Sequence, residues 1–340
     1  MKAFILAAGA GTRLRPLTYD YPKPMIPLLN KPVIEHTINN LKKHSIDSVV
    51  MNLHTMPKMI TDYFGDGKKF GININYSMEE SLLGTAGGLK KCQKFFDSTF
   101  VVMSGDGLSN IDLTDAVAFH KRKKALATMV LKKIETKFAY GITLTERSGK
   151  IIKFVEKPTW GSVFSDTVNT GIYIFEPEIF KYIPDGFYDF GKDLWPRLLR
   201  LKKTIYAYLM NGYWTDIGNI DEYKQGVKDA LFNKISVAIN GKRLKKTEVF
   251  ADTGCNIDKT VRFIGKSVIG KNCKIGKNVV IDNGTVIGDN VKIQDNTIIK
   301  DSIIWNNTII GKNTKLCSSV IGINVPNKLS VYNGLLFNIR

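Results

Sequence analysis

Along roughly the first 230 residues, short apolar runs alternate with stretches in which apolar side chains return every three or four positions. The runs Lys2–Ala8, Ser48–His54, Ile72–Tyr76, Phe100–Ser104, Ala125–Lys132 and Asn169–Phe175 are short and rich in apolar residues. That pattern predicts strands covered on both faces. Asn30–His44 predicts a helix instead, with Asn30 as its cap, Pro32 in the first turn, and Ile34, Ile38 and Leu41 along one face. Strands alternating with such helices predict an α/β fold, a doubly wound, mostly parallel sheet of Rossmann-like type.

The period changes near residue 257. Ile269, Ile275, Ile281, Ile287, Ile293 and Ile299 recur every six residues with Gly, Asn and Asp between them; after one step of five to Ile304 the series runs on through Ile310 and Leu316. Hairpin strands repeat every two residues, so a period of six indicates a parallel β-helix of hexapeptide repeats, its aliphatic residues stacked as inner corners. Three hexads to a coil predict roughly three to four coils ending near Gly322. The expected division is 1–235 for the α/β domain, 236–256 for a connector, 257–325 for the β-helix and 326–340 for a C-terminal tail.

Composition adds a bias toward anions. The net charge is +18, but the basic residues are scattered, and the one dense run, Lys121-Arg-Lys-Lys124, is interleaved with no aromatic residue and reads as a solvated helix end. A nucleotide or phosphosugar partner fits this better than a nucleic acid. The four cysteines, Cys92, Cys255, Cys273 and Cys317, form no CxxC pair, which predicts a reduced compartment without a zinc site. No run of about 18 apolar residues occurs, so the expectation is a cytoplasmic protein with no membrane partner.

The candidate chemistry begins where the first strand ends. Gly9-Ala-Gly11-Thr-Arg13 presents backbone N–H groups with little side chain in the way, as a phosphate cradle requires. Two familiar cradles fail. A dinucleotide fingerprint needs a third glycine where Leu14 stands, and Gly265-Lys266-Ser267 would need a glycine at Thr260 to be a P-loop.

The whole stretch Gly9-Ala-Gly-Thr-Arg-Leu-Arg-Pro-Leu-Thr18, followed by Pro22-Lys-Pro24, resembles the signature of the sugar-1-phosphate nucleotidyltransferases. Gly84-Thr-Ala-Gly-Gly88, Ser104-Gly-Asp106, Tyr140-Gly141, Glu156-Lys-Pro158, Asn169-Thr-Gly171 and Trp214-Thr-Asp-Ile-Gly218 follow in that family's order. Glu79-Glu-Ser-Leu-Leu-Gly-Thr-Ala-Gly-Gly88 looks most like the mannose-1-phosphate guanylyltransferase branch.

The resemblance implies a nucleotidyltransferase domain followed by a left-handed β-helix. It also implies attack of a sugar-1-phosphate oxygen on the α-phosphorus of a nucleoside triphosphate, with pyrophosphate released. Because both reactants are polyanions, cations are needed to bring them together and to neutralise the transition state. The implied catalytic residues are Arg13 on the leaving phosphates, Lys23 between its two prolines, and Asp106. Leu6, Ala8, Gly9, Gly11, Thr12, Arg13, Glu79, Gly84 and Thr85 would bind the nucleotide; Gly141, Glu156, Lys157 and Asn169 would bind the sugar phosphate; Asp106 and Asp216 would hold Mg²⁺.

Guanine presents two adjacent donors, which suit a carboxylate, whereas uracil and thymine present one donor between acceptors and suit an amide. Glu79, where thymidylyl-specific relatives tend to carry glutamine, therefore favours GTP with mannose-1-phosphate, although Glu80 beside it leaves open which of the two faces the base. The alternatives are a glucose-1-phosphate thymidylyl- or uridylyltransferase, and a regulatory subunit that binds nucleotide sugar without turnover. A β-helix acyltransferase lacks a base, since His36, His44, His54 and His120 all precede the repeats. Assembly as a homo-dimer or homo-tetramer, through or aided by the β-helix, is expected.

Overall fold

The computed structural model describes residues 1–134, 140–159 and 165–338. It divides into two compact units: residues 1–11, 21–25 and 33–217 form the first, and residues 12–20, 26–32 and 218–340 form the second.

The chain runs through β1 (Lys2–Leu6), a short hairpin of β2 (Pro27–Leu28) and β3 (Lys31–Pro32), α1 (Val33–Lys43), β4 (Ser48–Leu53), α2 (Pro57–Phe64), β5 (Asn73–Met78), α3 (Gly84–Lys91), β6 (Phe100–Ser104), β7 (Gly107–Ser109), α4 (Leu113–Arg122) and β8 (Ala127–Lys133). It continues with β9 (Ile142–Thr145), β10 (Ile151–Val155), β11 (Thr167–Phe175), α5 (Trp195–Arg200), β12 (Ile205–Leu209), β13 (Trp214–Asp216) and α6 (Ile220–Leu231). All six strands expected from the apolar runs are present.

In the first unit, β6-β1-β4-β5 form a parallel block, and β11 joins β6 antiparallel to lead into β8, β9, β10 and β12. Alternation along β1 sends Ala3 and Ile5 to one side, against Ile34, Ile38 and Leu41 of α1, Ile60 and Phe64 of α2, and Leu113 and Ala116 of α4. Phe4 points to the other side, against Ala86 and Leu89 of α3 and Trp195 and Leu198 of α5. The continuous apolar run is thus the signature of a strand buried twice.

Helix α1 begins later than the sequence suggested. Asn30 is not its cap: Asn30 sits at φ 63 in the turn after β2, and Pro32 ends β3. Asparagine tolerates that left-handed conformation, which a local reading of Asn-x-Pro as a helix start does not anticipate. The basic run at 121–124 does close α4, with Lys121, Arg122 and Lys124 exposed.

The second unit carries three columns of short parallel strands. One runs through Glu248–Ala251, Lys266–Ile269, Thr285–Ile287, Ile303–Ile304, Val320–Ile321 and Leu335–Leu336, and the other two alternate with it along the chain. Ile269 pairs with Ile287, and Ile287 with Ile304, so the single five-residue step is absorbed as a coil shorter by one. The hexad isoleucines fill the interior. Asn278, Asn296 and Asn313, at φ 55, 57 and 58, bond to one another through their side chains at 3.1 and 3.2 Å, giving the corner a polar ladder.

Parallel pairing exceeds the expected bounds of 257 and 325 on both sides, from Glu248 to Leu336. These outer strands lack the Ile-Gly-x-Asn wording: Glu248–Ala251 pairs on its outer side with the antiparallel Lys242–Arg243, and Leu335–Leu336 has a strand neighbour on one side only. The last two residues of the expected tail, 339 and 340, lie outside the described residues. No helix among the described residues is long and apolar enough to cross a membrane, and the four cysteine thiols are free.

Candidate active site

Three strand ends set the site. Leu6 is in register with Asn52 on one side and Ser104 on the other, so the segments that follow β1, β4 and β6 emerge side by side at the carboxyl edge of the parallel block. This is the edge where open α/β sheets bind ligands. Gly105 ties the edge together, its N–H bonding Leu6 O at 2.9 Å, and a Cβ at Gly105 would lie 2.8 Å from that same oxygen. A cleft of about 300 Å³ opens here, lined by Leu6, Ala7, Ala8, Gly9, Lys23, Pro24, Asn52, Glu79, Leu82, Gly84, Thr85, Ser104, Asp106, Phe187 and Asp189.

At its floor the Lys23 ammonium bridges two carboxylates. It forms an ion pair with Asp106 and reaches Asp216 at 3.4 Å, and all three side chains are largely buried. The local topology explains how Asp216 comes back: β13 pairs antiparallel with β7, setting Asp216 opposite Gly107, and the Ile217 N–H bonds Asp106 O at 3.1 Å. Burial works against ionisation of Asp106, but the Lys23 charge, its hydrogen bond and the Ser104 hydroxyl outweigh it and hold the carboxyl below its ordinary range.

One wall is a hydrogen-bonded chain. Asn52 accepts from the Ala7 N–H at 2.9 Å and donates to Glu79 Oε1 at 2.8 Å, while Glu79 Oε2 accepts from the Leu83 N–H at 3.0 Å. Glu79 is 5% exposed, whereas Glu80 is exposed. The glycines of the 84–88 motif allow close packing. A Cβ at Gly84 or Gly87 would strike the carbonyl oxygens of Tyr188 or Gly186 at 2.5 and 2.2 Å, and one at Gly88 would meet Glu79 Oε1 at 2.5 Å. Gly9 differs: nothing lies within 4 Å of its missing Cβ, which leaves the room a phosphate cradle needs.

The residues expected to receive the sugar phosphate form a second group. Gly141 and Gly191 leave space for the Glu156 carboxylate, since a Cβ at either would lie 2.8 or 2.6 Å from its Oε2. Burial and the charge of Asp189 push the Glu156 carboxyl up. Asn169 accepts from the Gly171 N–H at 3.0 Å and donates to the Tyr173 hydroxyl at 2.8 Å. Lys157 is exposed at φ 44. These four do not line the cleft described above.

Asp189 connects the two groups and was not picked out from the sequence. It lines the cleft, accepts from the Thr85 hydroxyl at 2.8 Å, and caps a π-turn over Phe190–Leu194 through the Gly191 and Lys192 N–H groups. Asn52 was also missed, although its place at the end of a predicted strand was a signal. Gly11 belongs to the first unit at φ 64; Thr12 and Arg13, both exposed, belong to the second, in a 3-10 turn over Thr12–Leu14 whose Leu14 is buried.

A glycine turn and a lysine–carboxylate cluster on the carboxyl edge of a doubly wound sheet define a nucleotide-using transferase rather than a dehydrogenase. Residues 2–231 match the nucleotidyl transferase family profile, and residues 240–334 match the GMPPB C-terminal domain profile. The chain belongs to the sugar-1-phosphate nucleotidyltransferases.

It is 41% identical over 309 residues to a UTP–glucose-1-phosphate uridylyltransferase of Synechocystis, covering 81% of this chain and 80% of that protein. It is 33% identical over 280 residues to a mannose-1-phosphate guanyltransferase of Schizosaccharomyces pombe, covering 81% and 74%. A solved structure from Bacillus anthracis, assigned as a glucose-1-phosphate thymidylyltransferase, aligns with TM-score 0.63 and 26% identity over 70% of this chain and 97% of that one.

Proposed function

We propose that this chain joins mannose-1-phosphate to GTP, forming a nucleotide sugar and pyrophosphate. A sugar-phosphate oxygen forms a bond to the α-phosphorus as the bond from that phosphorus to the bridging oxygen breaks, and the departing pyrophosphate takes the electron pair. The observation that carries the chemistry is the Lys23 ammonium held between Asp106 and Asp216 at the cleft floor.

Two carboxylates around one cation are a donor set that suits Mg²⁺, which takes few protein oxygens and completes its shell with phosphate and water. Asp106 and Asp216 would hold it. When bound, the ion supplies charge neutralisation at the reacting phosphates. Lys23 would turn its ammonium toward those phosphates, and Arg13 would take the leaving pair through its forked donors. Glu156, Asn169, Lys157 and Gly141 would receive the sugar phosphate.

The choice of base rests on Glu79. It is the buried carboxylate of the acidic pair, and each of its oxygens keeps a lone pair beyond the bond it already accepts, so an acceptor-only group lines the cleft. Guanine, with two adjacent donors, matches it. The C-terminal profile match and the guanyltransferase relative support the same pair. A second reading, UTP with glucose-1-phosphate, is favoured by the Synechocystis relative.

Pyrophosphate release measured with Mg²⁺ across GTP, UTP, dTTP, CTP and ATP against mannose- and glucose-1-phosphate separates them. Selective turnover of GTP with mannose-1-phosphate is the expected result. An optimum with UTP or dTTP would keep the mechanism and overturn the role given to Glu79, and no turnover with any pair would move the chain to a binding-only role. A homo-dimer or homo-tetramer completes the proposal, and sedimentation velocity of the full chain tests it.

A further inference from the structure

The signature loop is divided between the two units, and its flanking pieces fold with the C-terminal half of the chain. Residues 12–20, which carry Arg13, and residues 26–32, which follow Lys23, belong to the same compact unit as α6 and the β-helix. Leu14, Leu17, Ile26, Leu28 and Leu29 are at most 1% exposed, so these segments are packed rather than draped.

Two directed hydrogen bonds fix residues 26–32. The Tyr223 hydroxyl, on α6, donates to Pro27 O at 2.7 Å and accepts from the Trp305 indole N–H at 3.1 Å, which makes a relay from a β-helix side chain to the loop backbone. Tyr223 is fully buried, and burial drives its phenol far above the ordinary range, so the hydroxyl stays a donor. Independently, the Asn30 amide donates to Ile287 O, at the end of the strand Thr285–Ile287, at 2.8 Å. Helix α6 is in turn pinned to the coils by Lys228 on Asp301 at 2.7 Å and Lys224 on Ser318 O at 2.8 Å.

We propose that the β-helix is a positioning device for the catalytic loop: Trp305 and Tyr223 hold Pro27, the Ile287 carbonyl holds Asn30, and together they fix the backbone that presents Arg13. Tyr223, Trp305 and Asn30 are positioning residues, since none is placed on substrate. The reason for two directed bonds here is geometric, because displacement of a catalytic group by about 1 Å can cost about a hundredfold in rate. This inference rests on the reaction proposed above only for its kinetic readout.

The experiment uses the full chain. Tyr223→Phe keeps the ring and removes both bonds; Asn30→Gly keeps the positive φ and removes the amide; Lys228→Ala loosens α6 without touching the loop. With the substrate pair the wild type turns over fastest, Tyr223→Phe and Asn30→Gly are each expected to lower kcat about ten- to hundredfold, with the KM for sugar phosphate within about twofold. Lys228→Ala, which leaves both loop bonds in place, is expected to melt earlier and to lose less kcat than either loop variant.

Hydrogen exchange supplies a readout independent of turnover: amides of residues 12–20 should exchange at least about tenfold faster in both loop variants, while those of β1 stay as in the wild type. Wild-type kcat in folded Tyr223→Phe and Asn30→Gly, or unchanged exchange over residues 12–20, would overturn the proposal. A wild type that releases no pyrophosphate would refute the proposed reaction instead, and the exchange data would still decide this inference.

Discussion

Asn52 offers a sharp test of how the cleft wall is built. It is 2% exposed and makes two bonds, accepting from the Ala7 N–H at 2.9 Å and donating to Glu79 Oε1 at 2.8 Å. Asn52→Leu preserves most of the volume and leaves both partners without it. A buried polar group left unpaired costs about 1–3 kcal/mol, so two give a lower bound of about 2 kcal/mol. For a domain of this size each kcal/mol moves the melting point by about 2–4 °C, so Asn52→Leu should melt about 4–8 °C lower or more.

Asn52→Asp is the companion variant. It keeps the acceptor for Ala7 but sets a second carboxyl against Glu79, and one member of such a pair binds its proton more tightly than in the unfolded chain. The folded state then holds more protons than the unfolded state as pH rises, so the penalty in Asn52→Asp should be small in acid and grow through the raised pKa toward neutrality. Differential scanning calorimetry between pH 4 and pH 8 reads both effects. An Asn52→Leu midpoint within about 1 °C of the wild type, or an Asn52→Asp penalty that does not change with pH, would refute the account of this wall.

Other outcomes follow from the same geometry. Gly88→Ala puts a Cβ 2.5 Å from Glu79 Oε1 and 2.7 Å from Asn52 Nδ2, so overpacking should cost about 1–3 kcal/mol in urea unfolding and weaken nucleotide binding by calorimetry. Glu156 is raised by burial and by Asp189; its folded state binds the proton more tightly, so its ionisation lowers stability as pH rises from the unfolded to the folded pKa, and Glu156→Gln should flatten that limb of a melting-point profile. Asp106 is depressed, so its contribution is present above the ordinary carboxyl value and lost as pH falls through the folded one; Asp106→Asn should make the acid limb shallower and abolish pyrophosphate release. At the solenoid corner, Asn296→Ala should cost about 1–2 kcal/mol through its left-handed φ of 57, and Asn296→Gly should cost less.

The periodic parts of the molecule were readable in advance. Strands such as Phe100–Ser104 and the isoleucines of the solenoid announce themselves because burial on both faces, or at every sixth position, leaves no freedom for polar residues. Terminal coils around Val249 and Val331 escaped that reading, as the first pairs outward with an antiparallel strand rather than another coil and the second is stacked on one side only. Within the site, Lys23, Asp106, Asp216 and Glu79 were legible through their motifs. Asp189 was not: its task is to join a threonine hydroxyl on α3 to the N–H groups of a π-turn about a hundred residues on, a pairing no local spacing encodes. Asn30 misled because a left-handed turn and a helix cap draw on the same short amide side chain.

The division of the signature loop also sets an order in time. Asn30 waits for Ile287, which lies 257 positions further along the chain. At about 5–20 residues per second of synthesis, that gap lasts about 13–50 s. Before it closes, the parallel strands of the first unit have all been made, yet the Asn30 amide has no Ile287 carbonyl to bond. A ribosome that stalls or terminates before Ile287 would therefore release a protein with most of its sheet while residues 26–32 lack that anchor, so order in this segment would report that translation had passed into the solenoid.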